Sequence, residues 1–150
     1  MNIEKTYVMI KPDGVQRGLI GSVISRFEDK GLKLKALKMI KVEESLASLH
    51  YSEHKGKSFY GELIKFITSG PVVAMVWEGP DAINIVRKLV GATAPSNADP
   101  GSIRGDYVIF TTFNIIHASD SLESSEREIG LFFKEEELLD YKMEIQNYLF

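Results

Sequence analysis

The chain of 150 residues contains no cysteine. That excludes a disulfide framework and thiolate chemistry together, and it is compatible with a reducing interior compartment. No window approaches the roughly 18 consecutive apolar residues of a membrane-spanning helix, so no membrane partner is expected and a cytoplasmic location is. The opening MNIEKTYVMIKPDG enters strand-like alternation at once. No basic segment precedes an apolar run of about 7–15 residues, so no secretory signal is visible. Basic excess is missing as well: 18 Lys and Arg stand against 21 Asp and Glu, a formal net charge of −3. A nucleic-acid partner is therefore not expected, although a local basic site for a small anion can sit on an acidic protein. The glycine motifs that cradle phosphate are absent too. There is no G-x-x-x-x-G-K-[ST], and Gly14, Gly18 and Gly21 do not fit G-x-G-x-x-G after a strand. If phosphate is bound, side chains must supply most of the contacts.

What is present suits a packed core. Apolar residues make up 44% and charged residues 26%, near globular averages, and the length predicts one domain over residues 1–150. EKTYVMIK (4–11) reads as a strand, stopped by Lys11-Pro12-Asp13-Gly14. Positions 19, 20, 23, 24 and 27 form a helical stripe, with Gly31 where a C-terminal glycine belongs. LKLKALKMIKV (32–42) alternates as a half-exposed strand and shifts phase at Leu37 and Met39, which predicts a bulge there. A short helix is predicted over 44–54. A second follows, with Phe59, Leu63, Ile64 and Ile67 as its stripe, closed by Gly70-Pro71. VVAMVWE (72–78) is a buried strand, and Asp81 is placed to cap a helix over 82–90. Residues 91–106 read as a long loop, of the kind that often carries function. DYVIFTTFNII (106–116) reads as the last strand. A helix from about Ser121 to Phe133, a short helix near 135–141 and an extended tail complete the chain.

The order β-α-β-α-α-β-α-loop-β-α predicts an α+β fold. It is a ferredoxin-like sandwich, a four-stranded antiparallel sheet with helices on one face. A doubly wound parallel sheet competes, because element order alone does not fix strand order.

NIIHASDS (114–121) ends an apolar run at an imidazole crowded by small polar residues, of which Ser119 and Asp120 are also suited to cap the helix that follows. A carboxylate that fixed the tautomer of His117 would leave the other ring nitrogen as a nucleophile, and Glu128 is near enough in sequence to be that carboxylate. Taken alone, Lys11, Arg87 and Arg104 read as solvated cations, Thr93 as a loop hydroxyl, Glu128 as an exposed helix residue and Phe59 as helix core. His50 and His54 stand i, i+4 on a predicted helix. Tyr51 occupies the position where H-E-x-x-H needs glutamate, and no third ligand is in view, so a zinc pair is not expected.

Together the motifs KPDGVQRGLIG (11–21), HY (50–51), SGPVVAMVWEG (69–79), GAT-P (91–95), PGSIRGDY (100–107) and NIIHASDS (114–121) resemble the nucleoside diphosphate kinase family, collinearly and over nearly the whole chain. The resemblance implies an enzyme that passes the γ-phosphate of a nucleoside triphosphate, mainly ATP, through a phosphohistidine to a nucleoside diphosphate, maintaining NTP and dNTP pools. It implies His117 as nucleophile through Nδ1, with Tyr51 and Glu128 positioning it. Lys11 would meet the phosphates and the sugar 3′-hydroxyl, and Asn114 the 3′-hydroxyl. Arg87, Thr93 and Arg104 would hold the β- and γ-phosphates, and Phe59 would stack on the base with Leu63 beside it. It further implies Mg²⁺ riding on the phosphates and a homo-hexamer, or alternatively a homo-tetramer. Three positions depart from the family pattern: Ala118 stands where glycine is usual, Phe113 and Thr111 differ from common choices, and Thr111 lies where an apolar residue often faces the base. A non-catalytic nucleotide sensor or an RNA-binding module on the same fold is the competing class. No aromatic RNP pattern supports the latter. A metal-dependent hydrolase using His50, His54 and His117 lacks the carboxylate spacing it would need.

Overall fold

Two central strands explain most of the core. β1 (Ile3–Ile10) and β3 (Val72–Pro80) are the segments with near-continuous apolar runs, and Thr6 to Ile10 and Val72 to Trp77 are buried throughout. Such runs belong to strands covered on both faces. β2 (Lys33–Ile40) and β4 (Ile116–Ala118) flank them as edges. The computed structural model describes residues 2–150. It pairs all neighbours antiparallel in the order β2-β3-β1-β4, the ferredoxin-like arrangement expected.

The helices cover both faces rather than one. Val8, Ile10, Val73, Met75 and Trp77 face α2 (Ile20–Lys30) and α5 (Ala82–Val90), where Val23, Phe27, Ala82, Val86 and Val90 meet them. The alternate residues Tyr7, Met9, Val72, Ala74 and Val76 face α3 (Glu44–His50), α4 (Tyr60–Ile67) and α7 (Leu122–Phe132). The period of two in each strand divides the two cores. Gly31 closes α2 at φ 101°, a left-handed cap that glycine adopts without strain.

Several boundaries differ from the expectation. α1 (Pro12–Gln16) is a short helix begun by proline where a turn was predicted. The sheet irregularity lies between Leu34 and Ala36, upstream of Leu37. Its phase change buries Lys33 and Lys35 and exposes Leu37 and Met39. The helix predicted over 44–54 ends at His50, and Ser52–His54 is a separate 3₁₀ turn. Near 135–141 there is one such turn, Glu135–Glu137, and the tail carries another at Glu144–Tyr148. The long loop contains α6 (Ile103–Tyr107), begun by Ser102, whose Oγ accepts from the Gly105 amide at 3.0 Å. That cap converts part of the predicted strand 106–116 into helix, so only Ile116–Ala118 pairs, against Val8 to Ile10. Asp81 precedes α5 but accepts from the Asn84 side chain at 2.9 Å, while Glu4 of β1 receives the Ile83 amide at 3.2 Å. Ser121, not Ser119 or Asp120, caps α7 through the Ser124 amide.

Candidate active site

The site is built around a strained backbone turn. Ile115 has φ 58°, a left-handed conformation that is a genuine outlier for a β-branched residue. The Ile116 amide donates across it to the Asn114 carbonyl at 2.7 Å, closing a γ-turn. KPDG holds the turn in place. The Lys11 amide donates to the Ile115 carbonyl at 2.8 Å, and the Ile115 amide donates to Asp13 Oδ2 at 3.1 Å. Gly14 lies so close that a Cβ there would stand 2.9 Å from the Ile115 carbonyl oxygen and 2.8 Å from Ile10 Cγ2. The turn sends the Asn114 side chain one way, where Oδ1 accepts from Lys11 Nζ at 2.9 Å. It starts β4, which presents His117 opposite Met9.

Arg104 braces the same turn from α6. Its guanidinium donates to the carbonyls of Asn114 at 3.4 Å, Ile116 at 2.6 Å and Gly91 at 3.1 Å. Burial and the Arg87 charge hold it down at about 10. Arg87, on α5, donates to the Ala118 carbonyl at 3.2 Å. Lys11 is lowered to about 8 by burial and then by Arg104, with Asp13 opposing. Three cations therefore converge on residues 114 to 118, Lys11 on a side chain and the two arginines on backbone carbonyls.

His117 is partly exposed, and its Nε2 lies 3.0 Å from both oxygens of the buried Glu128 carboxylate on α7. Ser119 donates to Glu128 Oε1 at 2.6 Å. Burial pushes the Glu128 carboxyl up, but the His117 bond and charge, the Ser119 hydroxyl and His50 outweigh it, so it stays below the usual carboxylate range. An ionised carboxylate can only accept, so Nε2 carries the proton and the free lone pair sits on Nδ1. His50 packs edge-on to His117 at 4.8 Å between ring centres. Burial first, then the neighbouring His117, lowers His50 to about 3, so it is neutral. Tyr51 lies against His50, 4.7 Å between ring centres, and burial with the Glu128 charge raises its phenol to about 12.

Beside this centre a cleft of about 970 Å³ is lined by Lys11, Phe59, Leu63, Phe66, Thr93, Thr111, Phe113 and Asn114 among others. Phe59 is not helix core: it precedes α4 with 47% of its surface exposed. Phe113 packs edge-on to Phe66 at 5.7 Å, and Thr111 lines the same wall. The structure thus brings Lys11, Phe59, Leu63, Thr93 and Asn114 into one cleft. Lys11 and Arg104 both bond to Asn114, His117, Glu128 and Tyr51 cluster about His50, and Arg87 reaches the Ala118 carbonyl from a neighbouring hollow that it lines with Ser102 and Asp120. Ala118 lies in β4 and is not among the residues at positive φ, so alanine fits without strain.

Sequence reasoning missed three contributors. Ser119 read as a helix cap, Asp13 as punctuation, and His50 as a partner of His54. The spacing Ala47–His50 on one buried helix face was the available signal for His50. His54 instead lies outside α3, near Phe59 at 5.4 Å.

Known proteins resemble this chain in sequence and in fold. The family model described as nucleoside diphosphate kinase matches residues 4–138. A nucleoside diphosphate kinase of Carboxydothermus hydrogenoformans is 56% identical over 148 residues, covering 99% of each chain. The structure of a halophilic nucleoside diphosphate kinase from Halobacterium salinarum in complex with CDP superposes with a TM-score of 0.96 at 50% identity, over 99% of both chains. A transition-state mimic of the enzyme from Borrelia burgdorferi, with bound vanadate and ADP, superposes with a TM-score of 0.92 at 43% identity, over 98% of both chains.

Proposed function

Because the chain belongs to the nucleoside diphosphate kinase family, we propose that it carries the family's phosphotransfer by a two-step exchange through His117, with the whole chain acting as one domain. The observation that carries this reading is the double contact of His117 Nε2 with Glu128 at 3.0 Å. It leaves Nδ1 as the one basic ring nitrogen. In the first half, Nδ1 forms a bond to the γ-phosphorus of a nucleoside triphosphate as the bond to the bridging β,γ-oxygen breaks, releasing a diphosphate. The ring then holds phosphorus on Nδ1 and hydrogen on Nε2, so it gains positive charge, and Glu128 balances that charge at contact distance. In the second half, a terminal oxygen of another nucleoside diphosphate attacks the same phosphorus and restores the ring. Ping-pong kinetics follow from a covalent intermediate shared by both halves.

The remaining residues do what phosphoryl transfer needs, which is positioning and charge neutralisation. Lys11, Arg87 and Arg104 surround the path of the phosphates, with Thr93 at the cleft wall. Asn114, held by Lys11, is placed for the sugar hydroxyl. Phe59 offers an exposed ring face to the base, with Leu63 beside it. A ring face is tolerant of every base, and comparable use of ADP, GDP, CDP and UDP is expected; activity confined to one base would contradict it. CDP in the Halobacterium protein and ADP in the Borrelia protein accord with that tolerance. The residues around the phosphates are cationic and do not fit a resident Mg²⁺, which prefers several hard oxygen ligands. The nucleotide therefore enters as its Mg²⁺ complex. Such an enzyme would balance nucleoside and deoxynucleoside triphosphate pools in the cytoplasm, and among the described residues no helix is long and apolar enough to cross a membrane.

A homo-hexamer, or alternatively a tetramer, is the assembly we favour. Leu37 and Met39 on edge strand β2, Ile109 and Phe110 in the loop, and Tyr148 and Leu149 in the tail are exposed, and closed symmetric assembly covers such residues. Light scattering should give about 100 kDa for six chains of 16.9 kDa; the mass of one chain would refute assembly.

The function is tested with γ-labelled ATP and Mg²⁺, quenched in alkali, beside His117→Ala. Label on the wild type alone, discharged by GDP as GTP, is the expected result. ATP binding without label would move the protein to the nucleotide-sensor class.

A further inference from the structure

Behind the nucleophile lies an imidazole, His50, that phosphotransfer does not explain. His50, His117 and Glu128 each offer a ligand atom, and all three atoms lie within 4.8 Å of one another. His117 Nε2 stands 3.0 Å and His50 Nδ1 stands 3.9 Å from Glu128 Oε2. His50 is buried at 3% exposure, and neither of its ring nitrogens has a hydrogen-bond partner. Leaving a buried polar group unpaired is costly, so an unpartnered imidazole aimed at another imidazole and a carboxylate calls for an explanation.

We infer that His50, His117 and Glu128 form an inhibitory Zn²⁺ site, beyond the kinase reaction and distinct from the Mg²⁺ that accompanies the nucleotide. Two imidazole nitrogens and one carboxylate oxygen are a common three-ligand set for zinc, with water in the fourth place. Bonds of about 2.0–2.1 Å in a tetrahedral site space ligands roughly 3.4 Å apart. Two of the three separations, 3.0 and 3.9 Å, bracket that spacing, and the third, between the imidazole nitrogens and within 4.8 Å, closes to it by rotation of the two rings. The His117 side chain is 23% exposed, so rotation of its ring opens a path from solvent to Nε2. Mg²⁺ does not compete, because it prefers hard oxygen donors.

Zinc binding silences the nucleophile by a balanced change. Nε2 of His117 gives its lone pair to zinc, and its proton appears on Nδ1 as the ring changes tautomer. Glu128 exchanges its bonds from His117 for the metal. No proton is gained or lost by the ring, but Nδ1 no longer has a lone pair with which to attack phosphorus.

The test uses untagged, nucleotide-free full-length protein titrated with Zn²⁺ alone by calorimetry, with His50→Gln and His54→Gln beside the wild type. One zinc per chain is expected on the wild type and on His54→Gln. His50→Gln should bind at least about tenfold more weakly, since even changes outside the ligand shell have that effect. Visible absorption bands of a low-coordinate Co²⁺ complex on the wild type, and zinc-induced shifts of the His50 and His117 ring signals but not those of His54, give the same answer should His50→Gln fold poorly. Equal affinity of His50→Gln and wild type, loss of binding in His54→Gln instead, or a Co²⁺ spectrum of the free hydrated ion would overturn the site. These readouts need no phosphorylation, so they stand apart from the outcome of the labelling experiment. Where the label does form, zinc should suppress it and a chelator should restore it; persistence of full labelling at saturating zinc would overturn the inhibitory role.

Discussion

Gly14→Ala probes whether the KPDG turn sets the geometry of the histidine. The added Cβ would lie 2.9 Å from the Ile115 carbonyl oxygen and 2.8 Å from Ile10 Cγ2. Ile10 is fully buried in β1 and the carbonyl is backbone, so neither can swing aside. Restoring an ordinary contact takes a displacement of roughly 0.5 Å, and small overpacking of this kind costs about 1–3 kcal/mol. Alanine's better helix propensity in α1 returns about 1 kcal/mol, leaving a net loss of up to about 2 kcal/mol. The functional loss should be larger. The displaced carbonyl accepts the Lys11 amide, and its residue donates to Asp13, so Asn114 and His117 move with it. Misplacement of about 1 Å can reduce a rate by roughly 100-fold, and a fall in kcat of about 10- to 100-fold is expected. Gly21→Ala is the matched control: Gly21 is helical and exposed, with nothing within 4 Å of a Cβ. It should gain up to about 1 kcal/mol and keep its kcat. Urea unfolding and steady-state assays measure both. A Gly14→Ala protein as stable and active as the wild type would show that the clamp on Ile115 has no bearing on catalysis.

Other perturbations address the charges. In Glu128→Gln the amide can face either ring tautomer, so ¹⁵N signals of His117 should show a mixture and phosphoenzyme formation should slow by roughly 100-fold or more; an unchanged tautomer and rate would refute the role given to Glu128. Burial and Arg104 place Lys11 at about 8, so its charge is lost as pH rises through that value, and a bound phosphate must restore it. ADP binding at pH 8 should then take up about half a proton, measurable by calorimetry in buffers of different ionisation enthalpy, and zero uptake would contradict it. His50 falls from 6.5 to about 3 on burial, so below 6.5 the unfolded chain binds a proton that the native state refuses. Stability is full above pH 6.5 and declines toward pH 3, with a slope contribution of at most about 1.4 kcal/mol per pH unit. His50→Gln should flatten that acid limb, whereas parallel acid curves would argue against a buried neutral His50.

The strands and amphipathic helices were legible because their patterns are local. TYVMI and VVAMVW announce central strands, and the stripe from Leu19 to Phe27 announces α2. The segment 106–116 was misread because its β-branched and aromatic residues promise a strand. In the fold, the Ser102 cap starts a helix just upstream, and Ile109 and Phe110 are left exposed. The candidate site was legible as a set of motifs, but its wiring was not. Nothing local says that Asp13 receives the amide of Ile115, 102 positions away. Nor does any local pattern say that His50 belongs with His117 rather than with His54, because that pairing is made by α3 packing beside α7 across the strand β1.

Arg104 spends its guanidinium on three backbone carbonyls, those of Gly91, Asn114 and Ile116. The three bonds leave three separate nitrogens of a planar fork; the donors of a lysine ammonium radiate from one nitrogen and cannot reach acceptors so spread, so even Arg104→Lys would be a drastic replacement here. On the proposed phosphotransfer, this cation already stands in place before a phosphate arrives. Its charge is fixed when the chain folds, and an electrostatic field already in place costs no reorganisation at the moment of transfer. The long loop and the γ-turn are thus tied together by a group whose positive charge is part of the scaffold.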